Sequence, residues 1–304
     1  MCVVAALVLV GATAGGGARQ AAQTLSLDEA RQYMVELINR DRATKDLVPV
    51  TLDGPATLAA QRHAEEMASE RYMSHYNLAG KSPNQRYTEA GGTGYSRENI
   101  YLATTRYAGE SGSEGASAAP LAQSPRFTRQ ELEEIESSYF NEVPPNDGHR
   151  KNILSPEHTH VGIGLARSAA PGGRALGNAQ EFVDRYVEVE PIPSAMGVDG
   201  EIRVAGRVLG GVKFRSISVA RGPLPEPLTK EKATAIHSYS VPHPDITYWP
   251  PPYRSARQVR VSADGAFSVT IPVGSHGAGV YYIGVWVDDS SRDILGSLRT
   301  VVVR

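Results

Sequence analysis

Four short segments set titratable side chains beside structure-breaking signals: Met73-Ser74-His75, Arg97-Glu98-Asn99-Ile100, Tyr139-Phe140-Asn141-Glu142, and the run from Gly148 through His149 to Leu154. Each is weak alone, because a lone His after a helix is more often solvated or capping than a ligand, and a lone Glu at a helix end is usually exposed. His158 and His160 form an H-x-H pair whose side chains would share one strand face, as a second metal site needs, although flanking the entry to a strand is the commoner role. His63 and Glu66, one helical turn apart, read as a surface pair. The only cysteine, Cys2, lies in a segment read below as a cleaved leader. Any metal would therefore be held by His and carboxylates. No serine or cysteine stands in a recognisable nucleophile motif, so covalent catalysis has no visible agent.

The elements that must position these side chains have local signals. Ser26 and Glu29 have capping-box spacing and predict a helix through Tyr33, Met34, Leu37 and Ile38. Asp53-Gly54-Pro55 announces a second helix with a narrow stripe of Ala60, Ala64, Met67 and Ala68, ending just before His75. From about Leu102 to Gln123 the chain is rich in Gly, Ser and Ala and reads as a loop of low order. Thr128 and Glu131 repeat the capping box, and a third helix runs through Leu132, Ile135 and Tyr139 until Pro144-Pro145 stops it. Glu142 is expected on that same apolar face, as a buried carboxylate that needs a partner. Val161, Ile163 and Leu165 alternate with Gly162, Gly164 and Ala166, a strand whose second face is nearly bare backbone and invites close approach. A strand from Glu181 to Val189 is its expected neighbour.

The order and spacing of these segments resemble the CAP superfamily, the cysteine-rich secretory, antigen 5 and pathogenesis-related proteins, whose domain is also called SCP. The resemblance spans about Leu27 to Val189, through LINRDRA, MASERYMSHYN, RENI and GHRKNIL followed by THVGIGLA, and it looks like the bacterial branch. It implies an α+β chain that opens with an α-β-α sandwich whose central cleft is lined by two His and two Glu. Those roles fall here to His75, Glu98, Glu142 and His149. Arg97 stands where the family usually has Gly, and Glu142 is matched through YFNE, with only six residues between it and His149. Eukaryotic members are disulfide-bonded, whereas this domain would be held by packing alone.

Such a tetrad supports three readings. His75 and His149 with one or two carboxylates could hold Zn²⁺ or another divalent cation, leaving a water-bearing position in an open cleft. A metal-assisted hydrolase acting on peptides or cell wall would draw on Glu98, Glu142 and His149 as its acid-base groups. A hydrogen-bonded polar cluster that ties helices to sheet is the third. The resemblance implies no settled catalytic activity, so the leading expectation is a binding module for a cation, or for a small, apolar, lipid or cell-envelope ligand.

Beyond Ala195 the pattern changes to strands: Glu201 to Leu209, Phe214 to Ala220, Arg257 to Ser262, Ala266 to Val273, Gly279 to Val287 and Leu295 to Val303, with a hairpin signal at Asp264-Gly265. An all-β immunoglobulin- or fibronectin-like sandwich is expected for residues 194–304, after a CAP domain over 24–193. Gly222 to Ser255 holds eight prolines with Tyr239, Tyr248, Trp249 and Tyr253. It is too long for an ordinary hairpin connection and reads as a segment that wraps the surface or binds carbohydrate or protein. Net charge is −2 overall, −6 over residues 1–193 and +4 over 194–304. The total argues against nucleic acid, and the asymmetry favours contact between the halves. The apolar run from Cys2 to Val10, too short to span a membrane, precedes Ala12-Thr13-Ala14 and reads as a signal peptide within residues 1–23. A secreted or periplasmic protein is expected, with no transmembrane segment after cleavage.

Overall fold

Caps set the helices of the N-terminal half. The computed structural model describes residues 24–106, 119–170, 173–274 and 276–304. The expected leader and residues 107–118 of the expected loop lie outside the described residues. After β1 (Thr24–Leu25), the Glu29 carboxylate accepts the Ser26 N–H at 2.7 Å and Ser26 Oγ accepts the Glu29 N–H, closing the capping box that starts α1 (Leu27–Ala43). β2 (Thr51–Leu52) leads into α2 (Gly54–Glu70), where Asp53 accepts the Ala56 N–H at 2.7 Å. There follow α3 (Pro83–Glu89), β3 (Tyr95–Arg106), β4 (Phe127–Thr128), α4 (Arg129–Phe140), α5 (Gly148–Ile153), β5 (His160–Ala170) and β6 (Gly173–Asp184).

The sheet order β2-β5-β6-β3 makes the middle layer of an α-β-α sandwich. Val161, Ile163 and Leu165 point to one face and pack with Phe182 against α1 and α4. On the other face α2 lies on bare backbone: a Cβ on Gly162 would come within 2.1 Å of the Ala56 carbonyl carbon, and one on Gly164 within 2.1 Å of the Ala60 oxygen. Ala60, Ala64 and Ala68 meet Ala166, Ala175 and Ala179 there, small against small, as the stripe requires.

Two strand boundaries differ from expectation. β3 pairs with β6 along its whole length, from Tyr95 opposite Asp184 to Arg106 opposite Gly173, so residues 102–106 are strand and not loop. Past the undescribed segment Ala119 is buried, and Leu121 bridges to Ser168. A neighbouring edge satisfied these backbone groups, and composition carries no sign of it. The expected strand from Glu181 to Val189 is broken after Asp184, and β7 (Val187–Val189) pairs with the second half of the chain.

That half adds β8 (Ala195–Met196), β9 (Gly200–Val208), β10 (Lys213–Gly222), α6 (Lys230–Thr234), β11 (Ile246–Tyr248), β12 (Arg260–Val261), β13 (Ala266–Val273), β14 (Gly279–Asp288) and β15 (Asp293–Val303). Two sheets, ordered β12-β13-β9-β7 and β11-β10-β14-β15-β8, enclose a core that includes Val204, Ile217, Ile271, Tyr281, Val285 and Val301. This is the expected β-sandwich, with the strand expected from Arg257 to Ser262 reduced to Arg260–Val261.

Gly222 to Ser255 does wrap a surface, and the surface is that of the first domain. Leu228 N–H donates to the Leu78 carbonyl at 2.8 Å, Lys230 pairs with Glu70 at 2.8 Å, and Ala233 is buried in the alanine cluster of α2. β15 adds its own contacts: Leu298 N–H donates to the Gly94 carbonyl at 3.1 Å, and Thr300 N–H to Thr88 Oγ1 at 3.2 Å. Arg292 reaches Glu157 at 2.6 Å. These two ion pairs put a base of the cationic half on an acid of the anionic half, as the charge asymmetry implies.

Candidate functional site

His75, Glu98, Glu142 and His149 line one cavity of about 570 Å³. They enter it as two imidazole–carboxylate pairs. In the first, Glu98 projects from β3 and its Oε1 lies 2.9 Å from His75 Nδ1, in the loop after α2. Arg86, on α3, bonds the other Glu98 oxygen and donates to the His75 carbonyl at 2.7 Å, so one buried guanidinium fixes both members. Burial alone would raise the Glu98 pKa, but Arg86, His63 and the bond from His75 hold it below the usual carboxylate range. Glu181, its cross-strand neighbour on β6, goes the other way: burial and then the Glu98 charge push its pKa up, so it is the protonated member of the pair.

The second pair is built at a helix junction. α4 ends at Phe140 with Asn141 as its C-cap, and Glu142 lies in the turn beyond. Its Oε1 is 2.6 Å from His149 Nδ1, and its Oε2 accepts the His149 N–H at 2.9 Å in the first turn of α5. The His149 ring packs on Tyr139, with centroids 4.9 Å apart. Asn99, next to Glu98 on β3, donates to the His149 carbonyl at 3.3 Å and accepts from Asn152 at 2.9 Å, which joins the two pairs through one strand.

A neutral ring whose Nδ1 faces an ionised carboxylate places its proton on that nitrogen and leaves its lone pair on Nε2. A third wall comes from the sandwich domain's strap. Tyr239 Oη accepts the Glu98 N–H at 2.7 Å, and its ring lies against that of His75 at 4.8 Å between centroids. His75 is therefore only 13% exposed, against 30% for His149.

The family model for the cysteine-rich secretory protein family, CAP, matches residues 35–179. Residues 35–179, just under half of the chain, thus form a CAP-type domain. A bacterial relative, the uncharacterized protein YkwD of Bacillus subtilis strain 168, is 25% identical over 145 residues, which are 48% of this chain and 46% of that one. The chain thus aligns with less than half of that relative's length. Among solved structures, an extracellular SCP-domain protein from Bacillus anthracis aligns at 19% identity and TM-score 0.36, over 52% of this chain and 41% of its own. An outer surface protein from Borrelia burgdorferi aligns at 13% identity and TM-score 0.37, over 53% of this chain and 98% of its own.

The other expected donors of the CAP domain are placed differently. His158 is buried ahead of β5, with Nδ1 2.5 Å from Asp184 and Nε2 3.0 Å from Asn152. Both ring nitrogens are engaged, and His160 bonds Thr159 Oγ1, so the H-x-H pair offers no shared face for a metal. His63 is no surface residue: it is 1% exposed, its Nε2 bonds the Ser74 carbonyl at 2.8 Å, and burial with nearby Arg86 pushes its pKa down to about 3. A solvated partner for Glu66 was expected, and instead α2 turns this ring into the protein beneath the Glu98 pair.

The buried carboxylate of α4 is Glu136, not Glu142. Gln180 donates to Glu136 at 2.7 Å, and burial raises its pKa to about 8. One turn from Leu132, it satisfies the helical phase better than Glu142, which lies past the helix end. Arg86, Glu181 and Tyr239 had no such signal. Among the described residues no group of three or more His, Cys, Asp or Glu side chains is placed to hold a metal ion, and no helix is long and apolar enough to cross a membrane.

Proposed function

We propose that this CAP protein is an exported, non-catalytic binding module whose cleft holds a divalent cation, Zn²⁺ in the first instance, between His75 and His149. The observation that carries the reading is the pairing itself. Each imidazole has a carboxylate on Nδ1, the arrangement that orients a metal-ligating His and raises the basicity of its other nitrogen. A borderline-soft ion suits two neutral imidazoles. Two protein donors leave coordination positions for water or for the donor atoms of a small ligand, so the ion would serve as an exchangeable anchor. Glu98 and Glu142 stay behind the rings, each already bonded to its own His.

Calorimetric titration of the chelator-stripped chain with Zn²⁺ at pH 7.5, beside a His75→Ala/His149→Ala variant, tests this. One-site micromolar binding by the parent and none by the variant is expected. No binding, or equal binding by both with the fold intact, would leave the tetrad as a structural cluster.

A further inference from the structure

A second cavity, of about 520 Å³, lies between the CAP domain and the sandwich. It is a neighbour of the His/Glu cleft, with Tyr95 and Arg97 in the walls of both. Its floor is the outer face of the sandwich sheet, its far wall is the start of β3, and its rim is the strap over Ser240–Pro244. The volume is that of a small-molecule site, which ranges over roughly 300–1,000 Å³.

Trp286 is the central feature of that floor. On β14 it alternates with the core residues Val285 and Val287, so it stands on the outer face of the sheet, beside a bulge that adds Gly296 to β15. The indole N–H donates to Ser218 Oγ at 2.8 Å, which pins the ring and leaves only its π face to offer. Tyr282 and Tyr95 add aromatic surface, and Leu298, Val241 and Pro242 add aliphatic surface to the walls.

The polar groups of the wall select among occupants. Arg97 lies 3.2 Å from Asp184 and 3.5 Å from Glu157, and Asp293 lies 3.2 Å from Arg215. The wall therefore presents paired donors and acceptors, with each of these carboxylates matched by a cation. That disfavours an ionic ligand, and it costs too much desolvation for an all-aliphatic one. A neutral polyhydroxylated ring fits both parts, its C–H face on the indole and its hydroxyls on the charged pairs. The aliphatic side chains of the walls give an acetamido methyl group apolar surface to rest on.

We propose that this interdomain cavity is a saccharide-binding site that takes an N-acetylated hexose unit stacked on Trp286. It is independent of the cation reading of the neighbouring cleft.

The chain has two tryptophans, Trp249 and Trp286, so Trp249→Phe in the full-length protein leaves a single reporter in the cavity. Titration of that protein with N,N′-diacetylchitobiose, in chelator so that no cation contributes, is expected to give a saturable change in emission at millimolar ligand. Ser240→Arg, on the exposed strap, fills the mouth without touching the core, and weakens binding by about tenfold or more. Calorimetry on Trp286→Ala shows the same loss, with thermal unfolding recorded for each variant. No saturable response, or one that Ser240→Arg leaves unchanged, overturns the site. Equal affinity for cellobiose overturns the N-acetyl assignment, and a response to a Pro-rich peptide in place of the sugar overturns the saccharide class.

Discussion

Glu136 shows how one buried atom sets a pH dependence. Gln180 bonds one of its oxygens, while the other is buried without a partner, and the group titrates near pH 8 in the fold. Its pKa is raised above the unfolded value near 4.5, so between the two values the folded chain holds a proton that the unfolded chain has lost. Stability from this group is intact below that window, falls as pH rises through it, and levels off above pH 8. Glu136→Gln should therefore match the parent near pH 4.5 and exceed it by about 1–3 kcal/mol at pH 8 in denaturant melts. Equal slopes of stability against pH in the two proteins would count against this account. Arg86 works in the opposite sense. Replacing it with Met leaves the buried Glu98 charge unpaired and should cost about 3–5 kcal/mol, measured the same way. A loss well below that would mean Glu98 takes up a proton when Arg86 is gone. These carboxylates also mark the limit of the sequence at this scale: residue types and spacing brought out His75, Glu98, Glu142 and His149, but which Glu is buried depended on where α4 stops.

Among the elements, the features dictated by neighbours in the chain were legible and those dictated by distant backbone were not. The capping boxes at Ser26 and Thr128 and the cap at Asp53 sit where local spacing puts them. β3 ran on through residues composed like a loop, because the edge of β6 was there to pair with. The bare face of β5 belongs to both classes, since glycine alternation announces close approach and only the fold says what approaches. Gly164→Ala would drive a methyl group into the Ala60 carbonyl, backbone against backbone, with no flexible side chain to yield. We expect a loss of about 2–4 kcal/mol, at or above the usual overpacking cost, read from urea melts. Gly54→Ala is the control, because a Cβ there meets nothing within 4 Å. If both variants lose the same small amount, α2 does not rest rigidly on the sheet.

At the scale of the whole molecule, the sandwich is part of the CAP domain's site. The strap is anchored by Leu228, Lys230 and Ala233 near the C-terminal end of α2 before Tyr239 reaches Glu98 and His75, so the tyrosine is delivered by a tethered segment and not by a free loop. The connection spans 141 residues of sequence, and proline and tyrosine content marked the segment without naming its target. The two imidazoles of the cleft consequently differ in access, 13% exposed for His75 and 30% for His149. Carbethoxylation followed by peptide mass mapping reads that difference directly, because neutral, exposed imidazoles react and covered ones do not. In the parent, His149 should be modified several-fold faster than His75. In Tyr239→Ala the His75 rate should rise toward that of His149, while His63 and His158, both buried by other elements, stay protected. Tyr239→Phe keeps the ring over His75 and gives up only the bond to the Glu98 N–H, so its His75 should stay slow. Equal rates at His75 and His149 in the parent would show that the strap leaves the cleft often enough to provide no wall, and ligand selection would then fall to the CAP domain alone.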